Sequence, residues 1–476
     1  MENTPNIKRR IDRPLVKIST GTYPNKWYGS YAAKVAEELG VKPISMGYGD
    51  PAVNAVIPEN LLAIFQKHLT FPNAGAYSND LGEPCLRKAY EDFIMRDEAL
   101  ESKINLVVGT AGGRSIITST FKASTKPGDV VLVPDPAWSG YEALARDARI
   151  NLVDISTNSE NNFVPTKQSI EAAIEKAGRM YPDGEVKLMI INTPHNPTGT
   201  VYDEKDITDI LAALKENHIK GLVDYTYRSI KAEGTSIPSV HKIAEKLAAK
   251  AGVPLREYTD NLIAMQTLGK VTLTPGFRVG YVMSTDLDFI GKFMTEKQAN
   301  DLSGHIFIQT AFAEYLGSQG QKDDFAKTVK QFEERRAYLL EQLSCFNYSP
   351  EQGNVVANPV GFYLTFEVPK RFKEEKVPLR DVSELFSRYP FIRQTVSEDE
   401  YTKLFESRGY IPASELFALE LVDKSAVAVC PGHLFTKESN KENGYENWCR
   451  VALIQPVQKL WEMFYRLKDH NNILQY

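Results

Sequence analysis

Short apolar runs separated by amphipathic stretches organise the middle of the chain. VVLVP (130–134), NLVDI (151–155), KLMIIN (187–192), KGLVDY (220–225), NLIAMQ (261–266) and VGYVM (279–283) are each bounded by turn residues. Their length and nearly unbroken apolar character predict strands buried on both faces. Between them, EALARDA, SIEAAIEKAG, EKDITDILAALKEN and SVHKIAEKLAAKAG carry helical spacing. Buried strands alternating with amphipathic helices predict an α/β protein with a mostly parallel sheet covered on both sides. A long helical pattern over 322–343 ends the alternation. Beyond it, GFYLTFEV (361–368) and SAVAVCPG (425–432) predict strands of a smaller α+β unit. The stretch 369–424 is charged and irregular and gives no clear element. There is no internal repeat.

Composition narrows the function classes. A chain of 476 residues can bury a large core and predicts two domains. The net charge of −5 provides no basic field for nucleic acid. The four cysteines (Cys85, Cys345, Cys430, Cys449) form no CxxC pair and no disulfide spacing, so a reducing compartment, the cytoplasm, is expected and no metal site. The polar start MENTPNIKRR lacks the apolar core of a secretory signal, and reads as a tail or a partner-contacting arm. No apolar run approaches 18 residues, so no membrane partner is expected.

In doubly wound sheets, ligands sit beyond the carboxyl ends of the strands. INLVV is followed by GTAGGRS (109–115), where small residues open a helix. That arrangement lets backbone N–H groups approach an anion, and it equally suits a tight glycine turn. VVLVP is followed by DPAWSGY, KLMIIN by TPHNPTG, and KGLVDY by TYRS. NLIAMQT leads to Lys270, an amine at the end of a core strand, with Arg278 eight residues on. MQTLGKV is not a phosphate-binding Walker loop, because it lacks the first glycine and the final hydroxyl.

The order of these pieces resembles the fold-type I, pyridoxal-phosphate-dependent class I/II aminotransferases. NTPHNPTGTVYDEKDI is similar to that family's Asn-Pro-x-Gly segment, VDYTYRSI to its Asp-x-x-Tyr strand end, and TLGKVTLTPGFRVGYV to its Schiff-base lysine followed by Arg-x-Gly. The resemblance runs from ISMGYGDP (44–51) to WCRVALIQP (448–456). It implies an aspartate aminotransferase-like fold. The large cofactor-binding domain is expected at 52–345, and a smaller domain would combine 1–51 with 346–476.

The resemblance also implies roles residue by residue. Lys270 would hold the aldehyde of pyridoxal 5′-phosphate as an imine and, once freed, carry the substrate α-proton to C4′. Asp224 would keep the pyridine nitrogen protonated. Tyr227 and Asn196 would hydrogen-bond O3′, and Trp138 would stack on the ring. Arg278, Thr267 and the backbone of Gly112, Gly113 and Arg114 would bind the phosphate. Tyr77 would reach the phosphate of a neighbouring subunit, which implies a homodimer with shared active sites. Arg450 would grip the substrate carboxylate, with Gly49 lying over the substrate and Asn196 beside it. His195, next to Asn196, is expected to be structural.

The expected reaction is transfer of an amino group from an L-amino acid to a 2-oxo acid. A lyase, decarboxylase or oxidase on the same scaffold is the alternative, and a catalytically idle regulator a further one. Three features depart from the family pattern. Arg114 stands where relatives commonly carry a small or amide residue. The 369–424 stretch is longer than expected. A polar insertion, 433–447, precedes Arg450.

Overall fold

The computed structural model describes residues 24–51, 55–98, 105–109, 112–375, 377–437, 444–467 and 473–475. The expected N-terminal tail lies outside the described residues, as do Thr110 and Ala111 of the GTAGGRS turn and residues 438–443 of the polar insertion. In chain order the strands are β1 (Ile44–Ser45), β2 (Asn105–Gly109), β3 (Val130–Asp135), β4 (Asn151–Ser156), β5 (Val186–Asn192), β6 (Lys220–Asp224), β7 (Leu262–Thr267) and β8 (Gly280–Ser284). They continue as β9 (Val355–Val356), β10 (Tyr363–Glu367), β11 (Val377–Pro378), β12 (Tyr410–Ile411), β13 (Val427–Ala428), β14 (Cys430–Pro431) and β15 (Trp448–Ala452).

Seven of these strands form one sheet in the order β2-β8-β7-β6-β5-β3-β4. Five neighbouring strands, β4, β3, β5, β6 and β7, run parallel, while β8 runs antiparallel to both β7 and β2. The middles of the parallel strands are mainly apolar because helices cover both faces, and polar residues such as Asn192, Asp224 and Thr267 stand at their carboxyl ends. Helix Glu204–Glu216 shows how the covering works. Asp203 caps its N-terminus by accepting from Asp206 N, and Asp206 returns the bond to the cap backbone. Ile207, Ile210, Leu211 and Leu214, at helical spacing, bury one stripe against the sheet core. Each such side chain contributes roughly 1.5–3 kcal/mol by leaving water.

A second core lies against this layer. Its antiparallel sheet has the order β14-β15-β10-β9. Helix Pro24–Leu39 returns to this core through Tyr28, Tyr31, Ala32, Val35 and Ala36, and β1 pairs with β13. Helix Gln319–Ser344, expected over 322–343, adds Phe332, Leu339 and Leu343 to the same core.

Two local expectations change. The single strand read over 425–432 is two strands on different sheets. β13 pairs in parallel with β1, whereas β14 pairs antiparallel with β15, and Pro431 ends the run because it has no N–H to donate. The stretch 369–424 is largely ordered secondary structure. It holds helices Lys370–Glu374, Val382–Arg388, Glu398–Leu404 and Ala413–Ser425 and the β11–β12 pair.

Candidate active site

The carboxyl ends of the parallel strands open onto one cavity of about 300 Å³. Gly49, Gly112, Gly113, Arg114, Trp138, Asn196, Asp224, Tyr227, Thr267, Lys270, Arg278 and Arg450 all line it. Sheet register explains part of this convergence. Asn192 of β5 is level with Asp224 of β6, which is level with Met265 of β7, and Thr267 of β7 is level with Gly280 of β8. Tyr77 is the one candidate residue that does not line the cavity. It is 85% exposed and touches the backbone of His305 through a β-bridge.

Asp224 is buried at the end of β6. Tyr141 Oη donates to its Oδ2 at 2.9 Å, while Thr226 N and Oγ1 donate to its Oδ1 at 3.0 and 2.6 Å. Burial raises its pKa, and these bonds pull the other way. Among the described residues no lysine or arginine pairs with this carboxylate, so its partners are neutral donors only. A buried carboxylate so placed suits a cationic ring N–H.

The loop after β5 is braced from the same strand. Asn192 accepts from Asn196 N at 2.8 Å through Oδ1 and donates to Asp224 O at 3.0 Å through Nδ2. Asn196 then links two groups facing the cavity. Its Nδ2 donates to Tyr227 Oη at 3.4 Å, and its Oδ1 accepts from Arg450 Nη1 at 2.8 Å. His195 points elsewhere. Its Nδ1 lies 2.8 Å from Thr198 Oγ1, it does not line the cavity, and burial lowers its pKa to about 3.

At the other end of the cavity, Gly112 and Gly113 begin helix Gly112–Ser124. Gly112 has φ +73°, and a Cβ on it would stand 2.6 Å from the Arg278 guanidinium. A Cβ on Gly113 would stand 2.9 Å from Thr267 Cγ2. The small residues therefore allow a helix N-terminus, an arginine and a threonine to crowd one spot, an arrangement that suits an anion.

Lys270 follows β7 and donates from Nζ to Gly49 O at 2.5 Å. Burial lowers its pKa to about 8; nearby Asp50 opposes this, and the Arg450 and Arg278 cations add to it. Arg450, on β15, is only 2% exposed. Its Nη2 donates to Gly47 O at 2.7 Å, and Tyr363 and Phe435 lie 4.4 and 4.6 Å from its guanidinium carbon. Its Nε has no hydrogen-bond partner although it is buried. Such an orphaned donor is costly without an acceptor, and a carboxylate would supply one.

Sequence reasoning missed several cavity residues. Tyr363 Oη lies 3.2 Å from Tyr227 Oη, and a Cβ on Gly49 would stand 2.2 Å from it. Tyr141 holds Asp224, and Phe435 covers Arg450. GFYLTFEV signalled only that Tyr363 sits on a strand, not which aromatic side chain faces the cavity.

The seven-stranded sheet, with a cavity at its strand ends and a second core closing over it, is the pyridoxal-phosphate-dependent transferase fold of the aspartate aminotransferase type. A Thermus thermophilus aspartate aminotransferase double mutant superposes with a TM-score of 0.69 at 20% identity, covering 93% of this chain and 95% of that one. A putative kynurenine aminotransferase from Saccharomyces cerevisiae gives 0.73 at 20% identity, covering 93% and 94%. The family profile "Aminotransferase class I and II" matches residues 41–456, and the chain belongs to that family. It is similar to an aspartate aminotransferase of Bacillus sp. strain YM-2, with 27% identity over 87% of this chain and 89% of the relative. It is also similar to a probable aspartate/prephenate aminotransferase of Rickettsia felis, with 24% identity over 91% and 90%. The protein is a pyridoxal-phosphate-dependent aminotransferase.

Proposed function

We propose that the chain transfers an amino group from an L-amino acid to a 2-oxo acid within this cavity, with Lys270 and Arg450 as its two poles. The observation that carries the assignment is their meeting in one cavity. An amine with a depressed pKa and a buried guanidinium with an unpaired Nε both face the same space. When bound, pyridoxal phosphate supplies an aldehyde that takes an amine and a ring that accepts the electrons released at the substrate Cα.

The remaining work belongs to the side chains. Lys270 holds the cofactor between turnovers and takes the proton from the substrate Cα, for which a pKa of about 8 is well placed. Asp224 keeps the ring nitrogen protonated, and Tyr141 and Thr226 hold that carboxylate in place. Tyr227 and Asn196 orient the ring, which Trp138 covers. Arg278, Thr267 and the start of helix Gly112–Ser124 take the phosphate. Arg450 takes the α-carboxylate, and Gly49 leaves room above it. Arg114 lines the cavity, 5.4 Å from the Trp138 ring, and puts a further cation there. With relatives named for aspartate and prephenate, this supports a substrate whose side chain also carries a negative charge.

We also propose two domains, 52–345 and 1–51 with 346–476, with Phe332, Leu339 and Leu343 of helix Gln319–Ser344 reaching from the first into the second core, and a homodimer in which Tyr77 completes the partner's site. The exposed Tyr77 supports the latter. Two exposed thiols without disulfides, Cys85 and Cys345, support a cytoplasmic setting. Among the described residues no helix is long and apolar enough to cross a membrane.

A screen of the twenty standard L-amino acids against the cofactor-loaded protein tests the function. Transamination gives stoichiometric conversion to pyridoxamine phosphate and a 2-oxo acid. Release of ammonia or carbon dioxide with the original cofactor spectrum restored would assign a lyase or decarboxylase, and consumption of oxygen an oxidase.

A further inference from the structure

The polar insertion ahead of Arg450 begins with a strap, residues 432–437, that crosses from the second core to the first. Gly432 starts it where no side chain fits, since a Cβ would stand 2.0 Å from Tyr445 O. On one side Arg408 nails the strap down. Its Nη2 donates to Thr436 O at 2.9 Å and to His433 O at 3.3 Å, and its Nη1 pairs with Glu446 at 2.8 Å. On the other side, Ala137 N donates to Phe435 O at 2.8 Å, and Lys437 Nζ pairs with Asp154 at 2.9 Å. Ala137 directly precedes Trp138, so the strap ties the Trp138 turn to the neighbourhood of Arg450.

Between these anchors the Phe435 ring is buried against the Arg450 guanidinium at 4.6 Å, and Tyr363 lies at 4.4 Å. Both rings line the cavity. An arginine flanked by two aromatic rings can swing neither ring-ward way without losing a contact, and a planar guanidinium binds a carboxylate bidentately only in one plane.

We propose that Phe435 is a positioning residue for the substrate carboxylate: held by the strap, it fixes the plane in which Arg450 presents its free edge. The proposal rests on the assignment of Arg450 given above. It predicts that changes in Phe435 act on binding of anything carrying that carboxylate and leave cofactor binding alone.

The test uses the cofactor-loaded protein and the standard amino acid that converts the cofactor fastest. The rate of conversion is followed against amino-acid concentration, and binding of the matching 2-oxo acid to the unconverted cofactor form is measured by calorimetry. Phe435→Leu should raise the half-saturating concentration about 5- to 30-fold, the range of a desolvated cation–π contact. The oxo-acid affinity should weaken to a similar degree, with the cofactor spectrum and cofactor affinity unchanged. Phe435→Tyr, which keeps the ring, should restore both affinities. Lys437→Met, a change at a partly exposed tether, should weaken both ligands less, and should add little in the Phe435→Leu background. Wild-type affinities in Phe435→Leu and Lys437→Met overturn the proposal, as does an equal loss in the Leu and Tyr variants. Arg450→Ala serves as the control. If it too keeps wild-type affinities, the carboxylate assignment itself fails; if it loses them while Phe435→Leu does not, only the positioning role fails.

Discussion

Arg450 Nη1 donates to Asn196 Oδ1 across 2.8 Å, joining β15 of the second sheet to the loop that follows β5. With Nη2 bonded to Gly47 O, two of the guanidinium's three nitrogens are anchored to protein, while the buried Nε is left for another acceptor. Arg450→Ala should therefore weaken amino-acid binding far more than cofactor binding. Truncating one partner of a buried charge-assisted pair costs roughly 2–5 kcal/mol, about 30- to several-thousand-fold in affinity. Titration with cofactor and with the α-methyl analogue of the best substrate decides it. Loss of cofactor with normal analogue binding would show that Arg450 serves the cofactor.

Asp224 has only neutral donors, which sets its expected importance for the reaction. Asp224→Ala should keep some cofactor bound, because the proposed phosphate cradle is formed by other residues, yet slow proton removal from the substrate Cα by orders of magnitude. A carboxylate beside the ring nitrogen acts chiefly on the charge that develops in the transition state. Single-turnover rates near those of the wild type would make Asp224 a structural residue.

Lys270 should announce itself in the pH dependence of cofactor capture. Burial lowers its pKa to about 8, so about one tenth of it is neutral at pH 7, against about three parts in ten thousand for an ordinary lysine. Added to the cofactor-free protein, pyridoxal phosphate should be captured at a rate that rises with pH and levels off above about 8. Asp50→Asn removes a group that favours the charged amine, and should move the midpoint down. Reduction with borohydride followed by mass spectrometry should find the cofactor on Lys270; an adduct on another lysine would end this assignment.

How much of this was legible depended on burial pattern. The parallel strands were readable because both faces are covered, leaving continuous apolar runs such as KLMIIN and NLIAMQ with chemistry at their ends. Helix Ala413–Ser425 was not. It is buried on nearly every side, from Ala413 through Leu421, so it lacks the polar face that gives a helix its 3.6-residue signature. Glu415 inside it lies in a stretch that read only as charged and irregular, and it is 1% exposed. Arg408 and Phe435 escaped for another reason. Arg408 acts on Thr436 and Glu446, 28 and 38 residues on, and Phe435 is held by Ala137 from far earlier in the chain, contacts that no local pattern records.

Tyr77 tests the proposed assembly. Its ring is 85% exposed in the single chain and does not line the cavity, and the proposed homodimer would give its hydroxyl a partner phosphate. Tyr77→Phe should loosen the cofactor while leaving amino-acid saturation close to normal, because only a hydroxyl to the partner's phosphate is lost. Sedimentation should give a dimer. A fully active monomer would remove the cross-subunit role.

Glu415 gives the second core a pH dependence of its own. It accepts from the hydroxyls of Tyr28, on the N-terminal helix, and Tyr401, the latter at 2.7 Å. Burial raises its pKa from 4.5 to about 7, while those two bonds pull it down. Between these values the folded protein keeps a proton that the unfolded chain releases, so this group's contribution to stability falls as pH rises from about 4.5 to about 7. His433, 3.8 Å from Glu415, has the opposite sign. Burial and Arg408 hold its pKa well below 6.5, so it costs stability as pH falls through that value. Glu415→Gln keeps an acceptor for the tyrosines and removes only the acid. Its melting temperature relative to the wild type should rise between pH 5 and pH 8, because only the wild type must then bury a charge. A gap that stays constant across that range would mean that Glu415 is ionised in the folded protein throughout.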